Sequence, residues 1–170
     1  MKTLVFDPSG NYNEGKGTTG WAQYYDGNLI TVGQLRAAEF KSRNDYWDSH
    51  IKLIQALEPD VLVVESFRLY ANKAKAQINS EFETPQLIGM LVHWCYSKDV
   101  EVIMQDPAIK SRFSNKILLH KKIITQDKSG RYYAVGVSIT NHILDAIRHG
   151  EYYKNFGYKK ERKNGSSRKI

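Results

Sequence analysis

The stretch Lys2-Thr3-Leu4-Val5-Phe6-Asp7 is a short apolar run that ends in a carboxylate. Val61-Leu62-Val63-Val64-Glu65 repeats the pattern later in the chain. Both have the β-branched-rich character of buried central strands, and an acid ending such a run has little packing purpose. A third acid, Asp145, lies inside the helical stretch TNHILDAIRH. Carboxylates gathered from separate elements repel one another unless divalent cations neutralise them. The pattern points to a metal-dependent phosphoryl-transfer site.

At 170 residues and 41% hydrophobic, the chain predicts one domain able to bury its own core. No apolar run approaches the ~20 residues that span a bilayer, and Met1 leads directly into a strand-like segment. The expectation is a soluble, cytoplasmic protein without signal peptide or membrane anchor. Cys95 is the only cysteine, which excludes an intrachain disulfide and thiolate zinc clusters, and it reads as a small core residue. The net charge of +7 is uneven. From Lys154 to Ile170 there are seven basic residues, Lys159 and Lys160 among them, against Glu161 alone. That end reads as a flexible basic tail over 157–170, either a non-specific phosphate contact or a solubilising segment. Residues 1–156 form the expected globular unit.

The coarse order of elements alternates. Strands are predicted over Lys2 to Asp7, Thr18 to Tyr25 and Asn28 to Leu35, the last two joined at Asp26-Gly27, a strong hairpin signal. A helix over Arg43 to Leu57 carries Tyr46, Trp47, Ile51, Ile54 and Leu57 at helical spacing, and Pro59 closes it before the strand Val61 to Glu65. Thr84-Pro85 reads as N-cap and first position of a helix to about Ser97, followed by a strand over Val100 to Gln105. A helix from about Ile139 to Asn155 puts His142, Asp145 and His149 on a shared face. Between Pro107 and Val137 the residues allow a hairpin around Asp127 to Gly130 or a helix over Ser114 to Ile124. No internal repeat is evident.

FDPSGN, then GTTGWA, VVESF and HILDAIRHG, in this order and spacing, resemble RuvC-type Holliday junction resolvases, particularly the compact bacteriophage versions, within the ribonuclease H-like superfamily. The resemblance covers residues 2 to about 150. It implies an α/β fold whose mixed sheet is an antiparallel meander of three strands continued by parallel strands, flanked by helices. It also implies a catalytic set of Asp7, Glu65, His142 and Asp145. Many cellular members carry an aspartate where this chain has His142, so the second ion is held more loosely or by imidazole.

Phosphodiester hydrolysis by this chemistry uses two ions ~3.5–4 Å apart, bridged by a carboxylate. Asp7 is the natural bridge, with Glu65 completing one site and Asp145 the other. Carboxylate ligands suit Mg²⁺, with Mn²⁺ able to substitute. His142 is a ligand, an orienter of water, or a helix-start histidine pairing with Asp145. After Glu65, the residues Phe67, Arg68, Tyr70, Lys73 and Lys75 interleave aromatic and basic groups, suited to stacking an unpaired base and gripping phosphates. The resemblance makes Phe67, then Tyr70, the wedge at a junction centre; either is alternatively core. It places Lys110 of DPAIKSRF near the scissile phosphate, against the reading of a solvated surface lysine. Gly10, Gly15 and Gly17 match no phosphate-loop pattern, so no small-molecule cofactor is expected. His50, His93 and His120 read as structural.

The function expected is symmetric cutting of four-way junctions, and of other branched DNA, by a homodimer. Recombination, repair, or debranching of replicated phage DNA in a host cytoplasm would be the setting. Alternatives are a terminase nuclease, a nuclease of RNA–DNA hybrids, or a non-catalytic junction-binding protein.

Overall fold

Lys2–Asp7 forms strand β1, whose Leu4, Val5 and Phe6 are wholly buried. The computed structural model describes residues 1–12, 15–68 and 82–157. Around β1 lie β2 (Thr18–Tyr25), β3 (Asn28–Arg36), β4 (Val61–Glu65) and β5 (Glu101–Gln105), in the order β3-β2-β1-β4-β5. The first three are an antiparallel meander, while β1, β4 and β5 run parallel. Asp26 and Gly27 both take positive φ, 47° and 77°, the geometry of a tight hairpin turn matched to strand twist.

Alternation along β1 feeds two cores. Leu4 and Phe6 pack with Leu62 and Val64 against helices α1 (Arg43–Leu57) and α2 (Glu83–Ser97), through Ile51, Ile54, Leu87 and Leu91. Val5 and Val63 face the other way, onto Ile143, Leu144 and Ile147 of a later helix. The sheet is therefore covered on both faces, as parallel strands require.

The strands and α1 match the sequence reading to within a residue, and three details are corrected. Helix α2 begins at Glu83 behind Phe82, which is left-handed at φ 47° and makes no side-chain cap. Thr84 is not the N-cap; its hydroxyl instead accepts from Gly10 N–H at 3.0 Å. The segment after β5 uses both alternatives in succession: a 3-10 turn (Pro107–Arg112), a short helix α3 (Asn115–His120), then a small sheet of β6 (Thr125–Gln126), β7 (Tyr132–Ala134) and β8 (Val137–Ser138). Phe113, Leu118, Ile124 and Ala134 tie it into the core. The last helix, α4, is shorter than expected, Asn141–Tyr152, and widens into a π turn over Tyr153–Gly157.

Candidate active site

Because β1 and β4 are parallel neighbours with Phe6 opposite Val64, their carboxyl ends put Asp7 and Glu65 side by side. Across the antiparallel partner, Asp7 stands opposite Gly20. A Cβ on Gly20 would lie 2.1 Å from the backbone carbon and oxygen of His142. Only glycine lets the first turn of α4 lie against β2 here, and the closeness delivers His142 Nδ1 to 2.9 Å from Asp7 Oδ2. One turn on, Asp145 points into the same place. One turn further, the fully buried His149 places Nε2 2.7 Å from Glu65 Oε2 and Nδ1 2.7 Å from the side-chain oxygen of Gln105.

Lys110 fills the middle. The turn carrying it starts at Asp106, whose carboxylate accepts from Ala108 N–H at 2.9 Å. Its ammonium lies 2.8 Å from Asp145, 2.9 Å from Glu65 Oε2 and 3.8 Å from Asp7. Arg148 closes the outer side: it binds Asp145 Oδ1 at 2.5 Å, the Phe113 carbonyl at 3.2 Å and the Asn115 side chain at 2.6 Å. One residue thus joins α4 to the segment bearing Lys110.

The two strand-end carboxylates are driven apart in acidity. Burial pushes Asp7 up to about 6, with the neighbouring Glu65 adding to it and His142 and Lys110 partly opposing. Burial would raise Glu65 also, but hydrogen bonds from His149, Asp7 and Lys110 outweigh it and bring Glu65 down to about 2. Of the two, Asp7 is the one that takes up a proton first as pH falls. Lys110 is held above the ordinary lysine range despite its burial, by Asp145 and Glu65. The hydrogen bond to Asp7 raises His142.

The turn after Asp7 is pinned over residues 8–10 by neutral groups, and at Tyr12, whose N–H donates to the buried Glu83 carboxylate at 2.9 Å, by a charged one. His50 Nδ1–H donates to the Tyr46 carbonyl at 2.9 Å, so Nε2 accepts from the Thr19 hydroxyl at 2.8 Å. Ser9 N–H donates to Thr19 at 3.0 Å, Tyr46 O–H to the Ser9 carbonyl at 2.7 Å, and the Trp47 indole to the Gly10 carbonyl at 2.9 Å. Burial brings His50 down to about 4, which keeps it uncharged.

Oxygen-rich donors with an adjacent imidazole are the right chemistry for Mg²⁺ or Mn²⁺. Their spacing is that of a cage around an ammonium: among the described residues no three His, Cys, Asp or Glu side chains are drawn together tightly enough to hold an ion.

Asp7, Glu65, His142, Asp145 and Lys110 are therefore brought together. The pairing of His142 with Asp145 and the solvated reading of Lys110 are both overturned, since His142 bonds Asp7 and Lys110 bridges the acids. Phe67 is half-buried, edge-on to Phe82 at 6.4 Å, in a groove of about 340 Å³ that continues from Glu65 and Lys110. Arg68 ion-pairs with Asp106 at the groove's rim. Tyr70, Lys73, Lys75, Lys159 and Lys160 lie outside the described residues. Sequence reading placed His149 on the right face without a role and missed Gln105 and Arg148. It also passed over the basic character of 107–138, a segment that holds Lys110, Arg112, Lys116, Lys121, Lys122, Lys128 and Arg131 and, of acids, Asp127 alone. Among the described residues no helix is long and apolar enough to cross a membrane.

No protein-family model and no curated protein sequence matches the chain. Solved structures do. RuvC from T. thermophilus, in complex with a Holliday junction substrate, superposes with a TM-score of 0.64 at 11% identity, covering 94% of this chain and 96% of that one. A second structure of Thermus thermophilus RuvC gives 0.60 at 13% identity, over 92% and 97%. The Fowlpox virus resolvase in its Holliday junction complex gives 0.48 at 13% identity, over 91% and 97%. At such identities the likeness is one of fold: a mixed five-stranded sheet flanked by helices, the ribonuclease H-like arrangement of RuvC.

Proposed function

We propose that the protein is a metal-dependent endonuclease that resolves four-way DNA junctions and related branched DNA by hydrolysing phosphodiesters. The observation that carries this is the convergence of Asp7, Glu65 and Asp145 from three elements upon Lys110. Fold likeness to RuvC over nearly the whole of both chains supports the choice of substrate. Asp7, Glu65 and Asp145, with His142, are the residues to hold Mg²⁺ or Mn²⁺, which when bound supplies activation of water and neutralisation of charge on the departing oxygen.

The chain's own groups do the rest. His149 and Gln105 fix the Glu65 carboxylate from behind, and Arg148 fixes Asp145, so the acids keep their orientation as charge changes between them. The Lys110 ammonium offsets negative charge developing at the phosphate. Phe67 offers an aromatic edge to an unpaired base in the groove, and Arg68 with Tyr70, Lys73 and Lys75 contacts the strands beside it. The basic end over 157–170, with Lys159 and Lys160, adds salt-dependent phosphate binding. Two symmetric cuts call for two copies of the chain, hence a homodimer.

The test is cleavage of a labelled immobile four-way junction beside linear duplex and RNA–DNA hybrid, with Mg²⁺, Mn²⁺ or chelator. Paired symmetric cuts in the junction that need the metal and vanish in Asp7→Asn are expected. Preferential cutting of duplex or hybrid would assign another nuclease of this fold, and junction binding without cutting a non-catalytic role.

A further inference from the structure

The Lys110 ammonium sits where an ion bridging these carboxylates would have to sit, and it is built into that position. Its side chain is 24% exposed, and it contacts acids from β1, β4 and α4 at once. The turn that carries it is clamped at both ends, by the Asp106 cap and by Arg148 on Phe113 and Asn115. An ammonium satisfies carboxylates at hydrogen-bond distance, 2.8–2.9 Å for Asp145 and Glu65. Mg²⁺ or Mn²⁺ demands oxygens at about 2.0–2.2 Å, so the same three groups cannot serve both at one time.

We propose that Lys110 is an exchangeable counter-ion of the carboxylate cage, competing with the divalent ion for it. Entry of the ion expels the ammonium, whose backbone stays clamped while its four-carbon stem turns. The groove beside it is lined by Lys110, Phe67 and Arg68 and is where a displaced ammonium meets a phosphate. Ion binding and phosphate binding then favour each other, because each rewards the same movement of Lys110. The phosphate half of this rests on the nuclease reading; the competition does not.

The test is Mn²⁺ binding by calorimetry to the full chain, as wild type, Lys110→Gln and Lys110→Arg. Removing the competing charge is expected to tighten Mn²⁺ binding about tenfold or more in Lys110→Gln, an interaction change that a few ångströms' separation readily supplies. Lys110→Arg keeps a competing cation and is expected to stay within about threefold of wild type. Stripped of metal, Lys110→Gln should melt lower than wild type and regain the loss on adding Mn²⁺. Adding a short single-stranded oligonucleotide in place of substrate should tighten Mn²⁺ binding in wild type and leave Lys110→Gln unmoved. Equal or weaker Mn²⁺ affinity in Lys110→Gln overturns the proposal, as does failure of any variant to bind Mn²⁺. Competition in a protein that cuts no DNA would sink the nuclease reading and leave this inference standing.

Discussion

Of the strands whose ends carry or flank the carboxylates, β1 and β5 are followed by turns that are held by opposite means. After β1, the turn over 8–10 is fixed by neutral, mutually satisfied groups, His50, Thr19, Tyr46 and Trp47 from within and Thr84 from α2, and only beyond it does the buried Glu83 carboxylate take the Tyr12 N–H. After β5, the turn over 106–115 is fixed by charges: Lys110 on Asp145 and Glu65, Arg148 on Asp145, and Arg68 on Asp106. Neutral hydrogen bonds in a dry interior respond little to salt or ions, whereas partly exposed ion pairs respond to both. One wall of the site is therefore fixed and the other exchangeable. A cage that must trade an ammonium for a metal requires that asymmetry.

The largest effect belongs to the fixed wall. Asp7→Asn is expected to lower junction cleavage about a thousandfold or more, the scale of losing a bridging metal ligand or a key electrostatic group. Stability should move the other way. The folded value of about 6 lies above the ordinary 3.8, so the folded state holds the proton more tightly and stability declines as pH rises from about 4 through 6. An uncharged asparagine escapes that decline, and a gain of about 2 kcal/mol at pH 8 is expected by thermal melting. A dead enzyme that also melts lower would mean that Asp7 is structural.

Next is Thr19→Val, which leaves His50 Nε2 and Ser9 N–H without partners in a buried place. The cost expected is about 2–3 kcal/mol, a fall of roughly 5–10 °C in Tm for a domain of this size. That fall should be the same at low and high salt. Arg148→Gln, on the exchangeable wall, is expected to cost only about 1 kcal/mol, with cleavage reduced about tenfold or more because Asp145 and the Lys110 turn lose their common tie. Its deficit should shift with salt concentration. If both variants respond to salt alike, the distinction between the walls fails.

How far the sequence reveals these walls follows from how local each signal is. Strand ends and their acids are local: an apolar run stops at Asp7 and at Glu65, and the hairpin at Asp26-Gly27 fixes the meander. The α4 histidines share a face by simple spacing. Yet the reason His142 reaches Asp7 lies in Gly20, a missing Cβ on another strand, which no local pattern discloses. Thr84 reads as a helix cap because threonine before proline usually is one, but a distant Gly10 N–H claims its hydroxyl. Gln105 and Arg148 look like an ordinary strand end and a surface arginine until β5 and the turn after it are laid beside α4. The basic excess over 107–138 is open to counting, but acids elsewhere in residues 1–153 offset it, so that it disappears in the charge of that stretch as a whole.

The smallest effect predicted is a change of slope, and it sets two groups shifted by burial, His50 and Asp7, against each other. His50, brought to about 4 from 6.5, binds its proton less readily folded than unfolded. Its contribution is therefore present above pH 6.5 and lost as pH falls toward 4. Asp7, brought to about 6 from 3.8, does the reverse over nearly the same range, gaining stability as pH falls. Glu65, at about 2, loses its contribution only below 4.5, and His142, raised by Asp7, changes above the window, but Glu151, raised by burial, loses stability as pH rises from 4.5 and so acts on the side of Asp7. Between about pH 4.5 and 6 the Asp7 and His50 slopes, each at most about 1.4 kcal/mol per pH unit, oppose each other, and with Glu151 on the side of Asp7 the wild-type Tm should not rise with pH there. Asp7→Asn removes one of them, so relative to wild type its Tm should fall as pH drops through that interval. A wild-type profile as steep as the variant's would mean that Asp7 is not the member of the pair that carries the proton.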